Sequence, residues 1–329
     1  MMGGEKMSKY TIASLFAGVG GIDLGFEQAG FKSIWANEID HSCKATFEIN
    51  HPEVKLVVDD IKNIKSNDIP DVTALCGGFP CQPFSVAGHR KGFDDDRGGL
   101  FFEIVRLLEG MKSEKRLPEV IFLENVKNLF THNEGKTFEH MENELRSLGY
   151  EVYSKVLNTY EYGNVPQNRE RLFIIAFLSK KVAKRFVWPE KIELTNSLDS
   201  FINWNGEVDK KYYYNSSHKV FSILKEQVLK PGLIYQFRRV YVRENKSGVS
   251  PTLTANMGMG GHNVPIIRDA NGNIRKLTPR ETFNLQGFPE NFIIPTILAD
   301  SKLYKQAGNS VTVSVIRRIA ENIKRALDG

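Results

Sequence analysis

Cysteine is scarce in this chain: Cys43, Cys76 and Cys81 are the three cysteines among 329 residues. No two of them have Cys-x-x-Cys spacing, which argues against a disulfide framework or a zinc knuckle, and no metal site is predicted. Cys43 lies among helix-forming residues and Cys76 in an apolar stretch, so both are predicted to be small buried apolar side chains. The low cysteine content favours a reducing compartment, and we expect a cytoplasmic protein.

Long hydrophobic runs are also missing. No apolar stretch approaches the roughly 20 residues that a membrane-spanning helix needs, and the first seven residues lack the apolar core of a signal peptide. Hydrophobic residues make up 41% of the chain and charged residues 25%, which is typical of globular proteins. A chain of this length can bury a substantial core, in one large domain or two.

Charge of one sign is not in large excess, since the formal net charge is +5. The basic residues are unevenly placed, however: residues 180–280 contain 18 lysines and arginines against 8 aspartates and glutamates, and the rest of the chain is slightly acidic. A basic segment of this kind indicates a surface for a polyanion such as nucleic acid. A solvated lysine-rich face is the alternative.

Short apolar stretches alternate with amphipathic helical stretches from Tyr10 to about Phe177. The predicted strands are residues 10–16, 33–36, 54–58, 72–76, 120–123, 155–157 and 172–177. This alternation predicts an α/β fold with a Rossmann-like, largely parallel sheet and helices on both faces. Residues 186–276 lack it, and we predict a smaller, irregular β-rich domain there. Helices are predicted again at 279–285 and 310–326, so residues 277–329 are expected to return to the first domain, 8–185.

Cys81 lies in the segment GGFPCQPFS, residues 77–85, directly after a predicted buried strand. The two glycines and two prolines direct the chain into an irregular turn. Ligands bind at the carboxyl ends of the strands in α/β sheets, so a thiol at this position is a candidate reactive group. An incidental loop thiol is the alternative.

Glycines and carboxylates recur at the ends of the first three predicted strands. Gly18, Gly20 and Gly21 form a turn after the first strand, Glu38 ends the second, and Asp60 follows the third. An acidic residue at the end of the second strand suits ribose hydroxyls, and the next can accept from an exocyclic amine. The turn lacks the Gly-x-Gly-x-x-Gly spacing, and the chain has no hydride-transfer machinery. S-adenosylmethionine, an adenosyl cofactor without phosphates, therefore fits better than a dinucleotide.

Seven short motifs follow one another along the chain. They are Phe16-Ala17-Gly18-Val19-Gly20-Gly21, Asn37-Glu38, Pro80-Cys81-Gln82, Glu124-Asn125-Val126, Gln167-Asn168-Arg169-Glu170-Arg171, Arg280-Glu281 and Gly308-Asn309-Ser310-Val311. In this order they resemble the DNA (cytosine-5)-methyltransferases of the bacterial modification type, with mainly residues 186–250 uncovered. The resemblance implies a catalytic cofactor-binding domain (8–185 and 277–329), a target-recognition domain (186–276) and a DNA cleft, with S-adenosyl-L-homocysteine as product.

The chemistry of such a reaction assigns roles to four residues. Carbon 5 of cytosine is a poor nucleophile, and addition of the Cys81 thiolate to carbon 6 would activate it. Glu124 would hydrogen-bond N3 and the exocyclic amine, and Arg171 would contact O2. Arg169 is expected to support the same pocket or bind a phosphate. The target base must be flipped out of the duplex to be reached.

The resemblance implies further contacts. Cofactor contacts are expected from Phe16, Gly18, Gly20, Gly21, Glu38, Ile39, Asp60, Ile61, Pro80, Asn309 and Ser310. DNA contacts are expected from Gln82, Ser85, Arg97, Thr252, Thr254, Gly258 and Gly260.

Three hypotheses about function remain at this stage. The first is a monomeric methyltransferase for double-stranded DNA, associated with the nucleoid, that either belongs to a restriction system with a separately acting endonuclease or is solitary. The second keeps the fold but replaces DNA with RNA. The third is a binding module without activity, against which the presence of Cys81, Glu124, Arg169 and Arg171 together argues. The recognised bases cannot be read from the sequence.

Overall fold

The computed structural model describes residues 8–80, 99–238, 240–257 and 265–329. The strands are β1 (Thr11–Leu15), β2 (Lys32–Glu38), β3 (Lys55–Val58), β4 (Ala74–Gly78), β5 (Val120–Val126), β6 (Glu151–Asn158), β7 (Gln167–Asn168), β8 (Glu170–Phe177), β9 (Tyr235–Arg238), β10 (Tyr241–Glu244), β11 (Ser250–Pro251), β12 (Pro265–Arg268) and β13 (Ile274–Lys276). The α-helices are α1 (Gly21–Gln28), α2 (His41–Asn50), α3 (Leu100–Ser113), α4 (Asn128–Thr131), α5 (Lys136–Ser147), α6 (Thr159–Tyr162), α7 (Lys180–Ala183), α8 (Phe221–Gln227), α9 (Pro279–Asn284), α10 (Asp300–Asn309) and α11 (Val313–Asp328). Within these ranges, no helix combines the length and apolar character needed to cross a membrane.

One large sheet contains seven strands in the order β3-β2-β1-β4-β5-β8-β6. Strand β1 pairs in parallel with β2 and β4, β2 with β3, and β4 with β5. Strand β8 is antiparallel to β5, so it begins at the edge where the parallel strands end. The predicted α/β fold class is confirmed by this architecture.

Helices cover both faces of this sheet because neighbouring side chains of each strand point to opposite sides. On one face, α3 and α5 pack on a core that includes Leu75 and Ile121. On the other, Phe26 of α1 meets Phe122 edge to face, with 5.1 Å between the ring centroids. Cys43 and Cys76 are buried, as predicted for small apolar side chains.

The last helix packs against the first. A Cβ on Gly25 of α1 would lie 2.6 Å from the Cβ of Ile316 in α11, so the two helices approach closely at this glycine. Near the end of α11, Asp328 Oδ1 accepts a hydrogen bond from the Tyr10 hydroxyl at 2.9 Å. The predicted helix 310–326 therefore exists, although it begins at Val313, and the preceding helix α10 was not predicted.

The chain divides into two compact units. The first contains the described residues up to Leu157, with Glu170–Pro189 and Ile316–Gly329; the second contains Asn158–Arg169 and the described part of Glu190–Val315. These limits differ from the predicted domain boundaries, mainly because residues 277–315 group with the second unit.

The second unit holds a four-stranded sheet in the order β10-β9-β12-β13 and the short parallel pair β11-β7. A fully buried ion pair explains why residues after 277 belong here. Arg275 Nη2 lies 2.7 Å from Glu281 Oε1, and the same nitrogen donates to the carbonyl of Asn203 at 2.7 Å. Glu281 also accepts from the backbone of Thr278 at the start of α9. Buried charges need such partners, so α9 is tied to β13 and the Asn203 segment.

Candidate active site

Glu124 and Arg171 form an ion pair at the edge where the parallel strands end. Arg171 Nε lies 3.1 Å from Glu124 Oε1. Glu124 is opposite Gly78 in the β4–β5 pairing, and Arg171 is opposite Val126 in the β5–β8 pairing. The antiparallel direction of β8 thus brings its second residue to the place where β5 ends. Both predicted residues are brought together by the structure.

Both side chains of this pair are largely withdrawn from water. The exposed fraction is 10% for the Glu124 side chain and 17% for that of Arg171. Gly78 lies directly beside the carboxylate, since a Cβ at that position would be in van der Waals contact with Glu124 Oε2 at 3.5 Å. Reduced solvation strengthens the attraction between the two charges. The result is an oriented carboxyl group that can accept from an amine of a base and, when protonated, donate to a ring nitrogen.

Asn125 connects the end of β5 to the chain leaving β4. Its buried Nδ2 donates to the carbonyl of Phe79 at 2.8 Å, and its Oδ1 accepts from the N–H of Val126 at 2.8 Å. The carbonyl that it holds is two residues before Cys81 in the sequence. Asn125 belongs to the motif at 124–126, but no role for it could be predicted, because the motif does not say which carbonyl its amide contacts.

Replacing Asn125 with alanine is expected to lower the free energy of unfolding by about 1–3 kcal/mol, since the buried carbonyl of Phe79 loses its donor. Urea unfolding followed by circular dichroism measures the change. Asn128→Ala is the matched control, because Asn128 is exposed at the start of α4, and a change within about 0.5 kcal/mol is expected there. Equal effects of the two substitutions would contradict a special role for Asn125.

The turn after β1 has three residues in the left-handed region. The φ angles of Phe16, Gly18 and Gly20 are 55°, 57° and 81°. The N–H of Gly18 donates to Glu38 Oε2 at 2.7 Å, and the N–H of Asp40 donates to Glu38 Oε1 at 2.7 Å. Each carboxylate oxygen retains a lone pair for another donor. A Cβ on Gly18 would meet no described atom within 4 Å, so a ligand can approach this backbone.

The other predicted cofactor residues of the first unit follow the neighbouring strands. Ile39 is 58% exposed directly after β2, and Asp60 caps the 3₁₀ turn that follows β3. Ile61 is only 3% exposed and packs in the core, so a ligand contact from this residue would come from its backbone. Gly21 begins α1, and Pro80 is exposed beyond β4. Carboxylates at two strand ends beside an open glycine turn fit an adenosyl group, with acceptors for ribose hydroxyls and an amine.

The Arg169 side chain hydrogen-bonds backbone carbonyls of the second unit. It is 3% exposed, and its guanidinium donates to the carbonyls of Leu253 at 2.8 Å and of Gly308 and Ser310 at 3.3 and 2.5 Å. Of the two roles expected for Arg169, a phosphate contact does not fit so deeply buried a side chain. Support of neighbouring backbone fits it well.

The remaining predicted residues of the second unit lie next to these carbonyls. Asn309 is the exposed last residue of α10, and Ser310 follows it. Thr252 and Thr254 are half-buried on either side of buried Leu253. The Thr252 hydroxyl donates to the carbonyl of Asn168 at 2.7 Å, and the Thr254 hydroxyl to Asn256 Oδ1 at 2.7 Å.

Gln167 belongs to the motif at 167–171, but the sequence predicted no function for its side chain. It is completely buried; its Oε1 accepts from the N–H of Leu253 at 3.0 Å, and its Nε2 donates to the carbonyl of Leu285 at 2.6 Å. Gln167 therefore fixes the segment that carries both threonines, and only its place in the motif could have signalled this.

Six predicted site residues lie outside the described residues: Cys81, Gln82, Ser85, Arg97, Gly258 and Gly260.

Known proteins similar to this chain cover nearly its whole length. Residues 10–325 match the family described as C-5 cytosine-specific DNA methylase. The Type II methyltransferase M.Bsp6I of Bacillus sp. (strain RFL6) is 54% identical over 319 residues, which cover 96% of this chain and 99% of that protein. The Type II methyltransferase M.HhaI of Haemophilus parahaemolyticus is 35% identical, with 98% and 97% covered.

A solved structure has the same fold. The crystal structure of a mutant DNMT2 from Spodoptera frugiperda superposes with a TM-score of 0.73 at 19% identity, covering 96% of this chain and 100% of that one. The match along residues 10–325 and the close relatives agree with the motifs placed on the sheet. The chain belongs to the C-5 cytosine-specific DNA methylase family and is a DNA cytosine-5 methyltransferase.

Proposed function

We propose that Glu124 and Arg171 bind the target cytosine of double-stranded DNA, that Cys81 is the nucleophile, and that S-adenosylmethionine donates the methyl group. The observation that carries this proposal is the 3.1 Å ion pair of Glu124 and Arg171 at the ligand-binding edge of the sheet. Further support comes from Asn125, whose amide donates to the carbonyl of Phe79, two residues before Cys81 in the sequence.

The proposed chemistry begins with the Cys81 thiolate. Its sulfur forms a bond to carbon 6 of the flipped cytosine, and the ring electrons shift toward carbon 5 and N3. Glu124 accepts a hydrogen bond from the exocyclic amine and, in its protonated form, gives a proton to N3 as the sulfur adds, while Arg171 donates to O2, so the negative charge that develops on the ring is neutralised where it appears. N3 returns this proton to Glu124 when the ring becomes aromatic again. When bound, S-adenosylmethionine supplies an electrophilic methyl group for carbon 5. Loss of the carbon-5 proton to a base and cleavage of the carbon–sulfur bond restore aromaticity and the thiolate.

The proposed cofactor site is the edge formed by the first three strands. Glu38 is held by the N–H groups of Gly18 and Asp40, which orient its free lone pairs toward ribose hydroxyls. Asp60 is proposed to accept from the adenine amine, and Phe16 is proposed to contact the cofactor beside the open backbone at Gly18. Asn309 and Ser310 remain proposed contacts from the second unit.

A hairpin in the second unit is the proposed DNA-reading element. Strands β9 and β10 are antiparallel, with Arg238 opposite Tyr241. Phe237 and Val242 pack against the small core beneath the hairpin, so by strand alternation Arg238, Tyr241 and Arg243 share the other face. A two-stranded ribbon fits the major groove of DNA, and arginines there can meet phosphates or guanine. Thr252 and Thr254 are proposed as additional contacts.

Replacing Arg243 with alanine is expected to weaken binding to duplex DNA about tenfold, because one exposed positive charge leaves the proposed interface. Fluorescence anisotropy with a labelled duplex at constant salt measures the dissociation constant. Lys225→Ala is the control, because it removes one exposed positive charge from α8, the helix whose Leu224 packs in the small core beneath the hairpin. The dissociation constant of this variant is expected to change by less than about twofold. Comparable losses in both variants would indicate a diffuse charge effect and no hairpin contact.

The experiment that tests the function uses purified protein and S-adenosylmethionine labelled in its methyl group. We expect label to enter duplex DNA and not total tRNA, and bisulfite sequencing of DNA from cells expressing the protein to identify the methylated cytosine and its surrounding sequence. Label in tRNA alone, or methylation at another base position, would overturn the proposal. Because relatives are named Type II methyltransferases, we place the enzyme in a restriction-modification system. A separately acting endonuclease, a monomeric enzyme, the predicted domain limits and a nucleoid location in the cytoplasm stay predictions.

A further inference from the structure

A buried histidine lies against the glycine turn that follows β1. His51, directly after α2, is 3% exposed, and its ring packs on Phe47 with 4.8 Å between centroids. A Cβ on Gly20 would lie 2.2 Å from His51 Nε2. The residue at position 20 must therefore be glycine both for its φ of 81° and to make room for this imidazole. The imidazole ring therefore packs directly against the backbone of the turn.

Two carboxyl groups of α1 act on the same imidazole, Glu27 by direct contact and Asp23 through its charge. Glu27 Oε2 lies 3.3 Å from His51 Nδ1. Asp23 is completely buried; it accepts from the Ser14 and Ser33 hydroxyls at 2.8 and 2.6 Å, and its charge acts on His51 electrostatically. These two hydroxyls come from β1 and β2, so Asp23 ties the first turn of α1 to the two strands whose ends form the proposed cofactor site.

We propose that the imidazolium of His51, paired with Glu27 and packed against Gly20, is a positioning residue that holds the Phe16–Gly21 turn in its cofactor-binding shape. This inference rests on the proposed function, because it takes the turn to be the S-adenosylmethionine site. With a neutral ring, Asp23 and Glu27, one helical turn apart on α1, would lose the cation that offsets their charges. A displacement of the ring would then act on Gly20, the N-cap residue of α1.

The expected pH dependence has a definite sign. Burial disfavours the charged ring, but the adjacent Glu27 carboxylate and the charge of Asp23 outweigh burial and raise the pKa of His51 above its ordinary value. A raised pKa means that the imidazolium stabilises the fold at low pH and that this contribution is lost as the pH rises through the raised value. The Gly20 backbone also raises the pKa of His51, and Phe47, which packs on the ring, is uncharged. Burial raises the pKa of Asp23 itself, and burial raises the pKa of the Cys76 thiol further from neutrality.

The test measures binding of S-adenosyl-L-homocysteine by isothermal titration calorimetry between about pH 6 and about pH 9. In the wild type, affinity is expected to fall about tenfold across this range as His51 loses its proton. His51→Gln is expected to bind about tenfold more weakly than the wild type at low pH and no more weakly at high pH. Titration of the ligand itself affects both proteins equally, so their difference reports His51 alone.

Two further variants complete the test. Glu27→Gln, altered at a side chain that is 33% exposed, should move the midpoint of the affinity loss to lower pH, and it gives an answer even if His51→Gln does not fold. Glu48→Gln removes an exposed carboxylate of α2 and should reproduce the wild-type profile. The inference alone is overturned if the wild type methylates DNA and its dissociation constant for S-adenosyl-L-homocysteine does not change with pH. It is also overturned if the midpoint in Glu27→Gln does not move. A wild type that never binds the ligand overturns the proposed function with it.

Discussion

Replacing Cys81 with alanine is expected to reduce methyl transfer by at least about 10⁴-fold, because alanine cannot add to carbon 6 and carbon 5 then stays unreactive. Binding of duplex DNA and of S-adenosyl-L-homocysteine should change little, since the thiol contributes chemistry and little contact area. Single-turnover transfer of labelled methyl measures the first quantity, and anisotropy and calorimetry measure the other two.

A covalent adduct separates this role from a general loss of fold. Wild-type protein incubated with S-adenosylmethionine and a duplex carrying 5-fluorocytosine at the target should become linked to the DNA, because the fluorine cannot leave as the proton does. Cys81→Ala should form no adduct. Cys43→Ala is the control, since Cys43 is a buried thiol of α2 and this variant should form the adduct normally. An adduct in Cys81→Ala, or full activity, would refute the assignment.

Much of the first unit follows from its sequence because buried parallel strands are apolar runs bounded by turn residues. Residues 120–123 form an apolar run and are buried in β5, as expected for a central strand with both faces covered. The limits were less predictable. Residues 72–76 were predicted as a strand, whereas β4 is Ala74–Gly78, because pairing with β5 extends the strand through two glycines that propensity alone would assign to a turn.

The two arginines of the motif at 167–171 show what the sequence could not supply. Their spacing of two residues places them on one side of an extended chain, and both were expected near the base. The structure separates their roles, because Arg169 lies between β7 and β8 and is occupied by backbone carbonyls. Arg171 lies inside β8 and reaches Glu124. The roles of the two arginines differ because each side chain contacts residues that are distant in the sequence.

The domain limits illustrate the same point. The helical pattern after Leu277 resembles that of the first unit, so composition and periodicity group residues 277–329 with it. The buried pair of Arg275 and Glu281 and the bonds of Gln167 to Leu253 and Leu285 hold residues 277–315 in the second unit. Periodicity predicts that a helix forms but does not say which surface buries it.

Replacing Glu124 with glutamine is expected to reduce the rate of methyl transfer by about 10²–10⁴-fold, with little change in DNA affinity. The amide keeps the shape of the side chain but lacks the negative charge that pairs with Arg171 and cannot take up or give a proton at N3. Single-turnover rates at saturating DNA and cofactor isolate the chemical step. Glu170→Gln is the matched control: Glu170 begins the same strand as Arg171 and pairs with Lys127 at 2.9 Å on the exposed surface.

The double variant Glu124→Gln with Arg171→Ala tests whether the pair acts as a unit. If Arg171 orients Glu124 and both stabilise the same charged ring, removing the second side chain should cost much less than it does in the wild type, so that the losses do not add. Fully additive losses would mean that the two residues act separately and that their 3.1 Å contact is unrelated to catalysis. A slow Glu170→Gln variant would likewise attribute the effect to the strand and not to the active-site carboxylate.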